Sequence, residues 1–423
     1  MPTVEAMTSV PSVDDRTLAD RPAPRTAAPA TLADRTDAPT TVGRDAPPSA
    51  SPPRLMVLDG LRFLAAAAVV AYHLAGRQTS AWGPDQVERL GDVPRWTSYG
   101  SLGPELFFVI SGFVVLLTAW GRPTARLVAS RLARLYPAYW AGVLLTGGLL
   151  LVLWPEGKDV TPAQVLVNLT MVQPALGVPH VDGVYWTLWA ELRFYLLVGV
   201  LSLVGLTRRR VLAVALVWPW LAQLALHNGL TGLATALVAD YASLFAAGMA
   251  LYVLHRDGHR LDAWLVVATN TVLAVLLVVP SRAAVLARTT GYEPSELLLG
   301  AGVVVCVALV ACAVLTPLAR ARATWCVTLG ALTYPVYLVH DYWGLYVVHL
   351  TAPHVPTAVA LALAVGAALA LAWLVHRCVE LPCGPRVRRW SEQALVRARA
   401  VVLDRVNRGP RLVRGLDEVR VPG

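Results

Sequence analysis

Arg62 and His73 stand eleven residues apart in an otherwise apolar stretch, Arg54 to Ala75, that also carries Asp59. An imidazole ordinarily titrates near pH 6.5, so it can take up and release protons at neutral pH. A guanidinium stays charged and pairs with oxyanions through two parallel hydrogen bonds. At roughly 100° per residue, eleven residues make nearly three whole turns, so both side chains leave a helix on one face. At about 1.5 Å of rise per residue they lie roughly 16 Å apart along its axis. A charge at membrane depth costs several kcal/mol unless it faces protein or a water-filled cavity. The stripe therefore reads either as the lining of a passage or as a buried Arg and His satisfied by neighbouring helices.

The rest of the chain has the composition such a helix needs around it. Its 423 residues are 56% hydrophobic and 15% charged, with a mean hydropathy of +0.55. Soluble domains carry about 25% charged residues, so this is a membrane protein by composition. The net charge of +9 does not point to nucleic acid, because the basic residues sit in tails and short loops between apolar runs. Cys306, Cys312, Cys326, Cys378 and Cys383 form no C-x-x-C pair, so neither a zinc site nor a disulfide framework is expected. No tightly bound cofactor is indicated. Residues 1–53 hold ten prolines and no apolar core segment; they read as a disordered tail rather than a secretory signal.

From Arg54 onward the pattern predicts an all-α, polytopic fold of about ten transmembrane helices. Their expected positions are roughly 56–75, 101–120, 138–154, 184–206, 211–227, 235–254, 263–280, 296–316, 326–348 and 357–377. A weaker stretch near 162–173 reads as a re-entrant or interfacial helix. Arginines cluster at 122–134, 208–210, 256–260 and 320–322, and ten more lie between Arg386 and Arg420 against four acids. All of these fall on one side if the N-terminus is inside, whereas the opposite loops are neutral or slightly acidic. The positive-inside rule then puts both termini in the cytoplasm. Residues 54–380 form the membrane domain, and 381–423 an Arg-rich cytoplasmic tail facing anionic lipid. Only this tail follows the last span, so no fused domain is expected there. On that topology Arg62 lies in the cytoplasmic half. His73, Glu191 and His340 all fall in outer halves and are expected to gather at one level.

Several motifs in this order carry a resemblance. VLDGLRFLAAAAVVAYHLAG, containing Arg62 and His73, is similar to the first-span Arg-x10-His signature of the membrane acyltransferase-3 family. GPELFFVISGFVV at 103–115, SRLARLYPAYW at 130–140, VYWTLWAELRFYLL at 184–197 and LGALTYPVYLVHDYW at 329–343 resemble its later motifs. The resemblance covers about 54–380. It implies transfer of an acyl group, commonly acetyl from acyl-CoA as co-substrate, to a hydroxyl of a carbohydrate or glycosylated product. It also implies a multi-pass protein of the bacterial plasma (inner) membrane.

Within that resemblance the residues take candidate roles. His73 would remove the proton of the acceptor hydroxyl as the thioester is attacked. Glu191 would orient His73 or act as a base; alternatively it pairs with a buried arginine such as Arg193 or Arg62. Arg131 and Arg134 would hold the phosphates of coenzyme A, although positive-inside topology alone would place arginines there. Arg62 would hold a phosphate, the pantetheine or the thioester oxygen, or else pair with Asp59 or Glu191. Ser111 has no Gly-x-Ser-x-Gly elbow and is expected, with Gly112, to pack closely against another helix. Trp186, Tyr195 and Tyr337 are expected pocket walls, and His340 either a second acceptor ligand or a bundle hydrogen bond. A proton-coupled secondary transporter using the same intramembrane charges is the alternative. The acceptor, the acyl length and the oligomeric state are not legible in the sequence.

Overall fold

The protein was analysed as a computed structural model that describes residues 55–407. The tail assigned to 1–53 and the end of the Arg-rich tail, 408–423, lie outside the described residues. Every regular element among those described is helical. The long helices are α1 (Met56–Ala71), α2 (Gly103–Ala119), α3 (Thr124–Gly148), α4 (Trp186–Val204), α5 (Arg208–His227), α6 (Ala242–Asp257), α7 (Leu261–Thr290), α8 (Glu296–Leu315), α9 (Thr324–Thr351), α10 (Thr357–Val375) and α11 (Leu381–Asn407). Each of the ten expected spans falls on one of α1 to α10. Eight helical stretches, containing α1 to α5, α7, α8 and α10, are long and apolar enough to cross a bilayer. α6 has 16 residues, short of the roughly 20 a span needs. α9 has the length but interrupts its apolar run with Tyr334, Tyr337, His340 and Asp341. The chain is a multi-pass helical membrane protein.

Three boundaries differ from expectation, each for a local reason. α3 starts at Thr124 rather than near 138, so the basic motif is helical and not a loop. Its buried face, Leu127, Arg131, Leu135 and Ala138, supplies the packing that carries the helix through Pro137. α7 likewise runs past Pro280 to Thr290. The expected span 235–254 is broken, because Val238 adopts a left-handed φ of 55° between a short helix, Thr231–Ala236, and α6. The stretch near 162–173 contains a short helix, Pro162–Asn168, whose end is held by Tyr139 donating to Asn168 O at 2.7 Å. Residues 381–407, expected as tail, form α11, which lies along α3 and is tied to it by Arg126 and Glu392 at 3.4 Å. Its run of Ala, Arg, Leu and Glu has high helix propensity.

α6 is the packing centre of one half of the bundle, with every residue from Ala242 to Leu254 buried. It packs on α2, α5, α7 and α8. The crossing with α2 is backbone to backbone. A Cβ on Gly112 would sit 2.1 Å from Phe245 O, and one on Gly248 2.1 Å from Val109 O. Close approach through small residues is how apolar helices associate where burial offers no net driving force. Gly112→Val should therefore cost about 3 kcal/mol or more through overpacking. A melting temperature in detergent equal to that of the unmodified protein would refute this crossing.

Candidate active site

α1 ends in a wide turn, Tyr72–Gly76, in which Arg77 N–H donates to Tyr72 O five residues back at 3.0 Å. Such π-turns occur often at functional sites. His73 sits in this turn, and its Nδ1 lies 2.8 Å from His340 Nε2 on α9. His340 is fully buried, and its Nδ1 faces the carbonyls of Tyr337 at 2.9 Å and Val336 at 3.2 Å. Carbonyls only accept, so His340 Nδ1 carries a proton. In the neutral pair His340 Nε2 is then the acceptor, and His73 Nδ1 must donate to it. This fixes the His73 tautomer and leaves its Nε2 with a free lone pair.

Beside the pair, Asp341 is 1% exposed and accepts from Arg77 Nη2 at 2.7 Å. The loop leading to α4 closes over this ion pair. Lys158 Nζ donates to the carbonyls of His180 (2.7 Å) and Val181 (3.2 Å). Asp182 is fully buried and accepts from Val184 N–H at 3.1 Å. Burial, reinforced by the Asp341 charge, raises the Asp182 carboxyl well above the ordinary carboxylate range. Burial and Lys158 push the His180 imidazole down to about 4. Between the unfolded Asp182 value near 3.8 and its raised folded value, the folded chain keeps a proton that the unfolded chain has released. Stability from this group is thus present at acid pH and lost as pH rises through that window. Asp182→Asn fixes the neutral form. It should melt higher than the unmodified protein at pH 8, by roughly 1 kcal/mol or more, with the gain shrinking toward pH 4. An equal or lower melting point at pH 8 would contradict the burial argument.

A second group of polar residues lies below the imidazoles, toward the end of the bundle where α1 begins. Arg62 Nη1 pairs with Asp59 at 3.3 Å. Arg62 and Arg134 both line an open cavity of about 510 Å³ at that end, with Asp59, Tyr334, His376 and Glu380. The same two arginines line a narrow extension of about 50 Å³ that reaches Ser111, Glu191, Phe108 and Tyr337. Tyr337 closes its inner end, donating to Val184 O at 3.0 Å and lying 2.8 Å from Thr187 Oγ1. Its ring centroid is 5.8 Å from that of His340. One aromatic ring therefore stands between this cavity and the imidazole pair.

The structure brings some expected partners together and separates others. His73 and His340 meet. Glu191 does not join them: its carboxylate accepts from Ser111 Oγ at 2.8 Å and from Tyr195 Oη. The reason is depth. Thr187 on α4 meets Tyr337, a turn below His340, and Glu191 lies a further turn down. Ser111 accordingly faces Glu191, and Gly112 alone makes the close crossing. Arg131 is 7% exposed, donates to Thr118 and lies over the Tyr195 ring, so it holds α2, α3 and α4 together. Arg193 donates to Thr235 O and pairs with no carboxylate. Trp186 meets Phe108 edge-on and lies tilted against Tyr241, and those two rings also touch each other.

Two ion pairs with a buried carboxylate are among those that the sequence reading did not anticipate. Arg77–Asp341 is one; the other is Glu105 on α2, 0% exposed, with Arg282 on α7. An acid adjoining a histidine in an apolar span, and an acid opening the Gly-Pro-Glu-Leu-Phe-Phe run, were the available signals. No group of three or more His, Cys, Asp or Glu is arranged to hold a metal ion among the described residues.

The chain is thus a multi-pass membrane bundle with a hydrogen-bonded imidazole pair inside it and an arginine-lined cavity at one end. An acyltransferase domain family matches residues 57–377, and the chain belongs to this acyltransferase-3 family. It is similar to the acyltransferase MdmB of Streptomyces mycarofaciens, with 31% identity over 152 residues, 34% of this chain. That match spans 38% of the relative's length. No solved structure matches.

Proposed function

We propose that the protein transfers a short acyl group from acyl-CoA to a hydroxyl of a carbohydrate or glycosylated product, in the plasma membrane of a bacterium. The observation that carries this reading is the oriented His73–His340 pair, which leaves His73 Nε2 as a base. The acceptor hydroxyl gives its proton to His73 Nε2 as its oxygen attacks the thioester carbonyl. The carbon–sulfur bond breaks, and the imidazolium returns the proton to the departing thiolate, so no other reactant is needed. His73 Nδ1–H keeps its acceptor, His340 Nε2, throughout, and the adjoining Asp341 carboxylate favours the transient positive charge.

The arginine distribution supports a cytoplasmic position for the end bearing Arg62 and Arg134. There the two guanidinium groups suit the phosphates of coenzyme A, with the pantetheine arm entering the narrow extension. Arg131, held by Thr118 and the Tyr195 ring, ties helices together rather than serving as a phosphate ligand. The test is coenzyme A release by purified protein given acetyl-CoA and a panel of methyl glycosides. Release that depends on an acceptor is expected. No release with acetyl, propionyl or longer acyl-CoAs, from folded protein supplied with lipid, would refute the assignment and favour transport.

A further inference from the structure

A third cavity enters the bundle from the end opposite the arginine-lined one. It has a volume of about 200 Å³ and lies among the C-terminal end of α5, the residues just before α6 and the latter part of α7. Its polar lining is Gln223, Asp240, Tyr241, Ser281 and Arg282. We propose that this cavity is the acceptor subsite and that it takes one uncharged, hydroxyl-rich sugar ring. The proposal rests on the acyl-transfer reading and deepens it.

Its position supports this. Tyr241 forms the inner wall, and its ring centroid is 4.8 Å from that of Phe108, which lines the narrow extension of the arginine cavity. Cavities from the two ends thus meet across one aromatic layer. α7 continues from Arg282 to Thr289, whose Oγ1 lies 3.2 Å from Tyr72 Oη, beside His73. Arg282 precedes Thr289 by seven residues of α7, about 10 Å of helix, so the reacting hydroxyl of an acceptor held here has to extend along α7 toward Tyr72 and His73.

The lining fits the ligand class. Asp240 is exposed, lines the cavity and makes no hydrogen bond among the described residues, so both carboxylate oxygens can accept from vicinal hydroxyls. Gln223 donates its amide to Ala239 O at 2.7 Å, which leaves Oε1 free to accept. Arg282 is neutralised by Glu105, so the cavity offers no net positive charge to a phosphorylated ligand. Tyr241 presents an aromatic ring against which the apolar face of a sugar can stack.

Asp240→Asn and Ser281→Ala test the assignment in the full-length protein. Coenzyme A release would be measured against whichever methyl hexoside or 6-deoxyhexoside the unmodified enzyme accepts best. Losing a hydrogen bond to a charged group should raise the acceptor KM about tenfold or more for Asp240→Asn, and less for Ser281→Ala. The acetyl-CoA KM should stay within about twofold, and its thermal stabilisation of each variant reports folding. Unchanged acceptor KM in both variants, with transfer intact, overturns the subsite and leaves the acyl-transfer reading standing. A parallel rise in both KM values also overturns it. No transfer by the unmodified enzyme to any glycoside removes the acyl-transfer reading, and this proposal with it.

Discussion

His73→Ala is expected to lower acyl transfer by about 10²–10⁴-fold, the range a positioned general base contributes, with little change in acyl-CoA binding. The reason is the division of labour along the pair. His340 keeps its Nδ1–H on backbone carbonyls; His73→Ala frees its Nε2, but that nitrogen belongs to a residue that is 0% exposed and sits a hydrogen-bond length behind the place His73 occupied, so it replaces the base poorly. The nearest carboxylate, Asp341, is held by Arg77. His340→Ala should also lower transfer, but by less, because it frees the His73 tautomer without removing the imidazole. The measurement is single-turnover coenzyme A release at saturating acceptor, with acyl-CoA affinity determined separately. Undiminished transfer by folded His73→Ala would rule out the proposed base. Equal affinity and lost turnover would locate the defect in the chemical step.

Arg282→Ala is expected to be the most destabilising of the single changes considered, by about 3–5 kcal/mol. Glu105 is 0% exposed, and its second carboxylate oxygen has no hydrogen-bond partner. Removing Arg282 leaves that buried charge without its cation partner. Removing both charges is a different matter, since the pair also carries its own desolvation penalty. Glu105→Leu combined with Arg282→Met should therefore recover most of the lost stability. Thermal unfolding in lipid nanodiscs separates the cases. A single variant as stable as Arg209→Ala, a change outside this pair, would show that the ion pair holds nothing together.

Much of the helical framework was legible because crossing a bilayer demands long apolar runs, and these survive any tertiary context. His73 meeting His340 was legible from depth, since both lie in the outer halves of spans that run in parallel. Glu191 falls in the first half of α4, where the sequence puts it, but half a span is too coarse a measure: it sits one turn beyond Thr187, which already meets Tyr337 below His340, and bonds Ser111 instead. Basic residues and Pro137 hid the first half of α3, because charge and proline argue locally for a loop while buried Leu127, Ala129 and Leu135 argue for helix through contacts that sequence does not display. Arg77 with Asp341, and Glu105 with Arg282, were unreadable for a related reason. Each side chain advertises a charge, but partners 264 and 177 residues away are chosen by helix packing.

The contact between Phe108 and Tyr241 has a consequence for the membrane itself. A bundle lined from both ends by ionisable groups is close to being a proton wire, and a membrane holding a voltage or a pH gradient would discharge through it. The rings of Phe108, Tyr241 and Trp186 interrupt any water column between the two cavities. Such a layer would let polar groups lie deep in the bilayer without joining the two cavities into one path for protons.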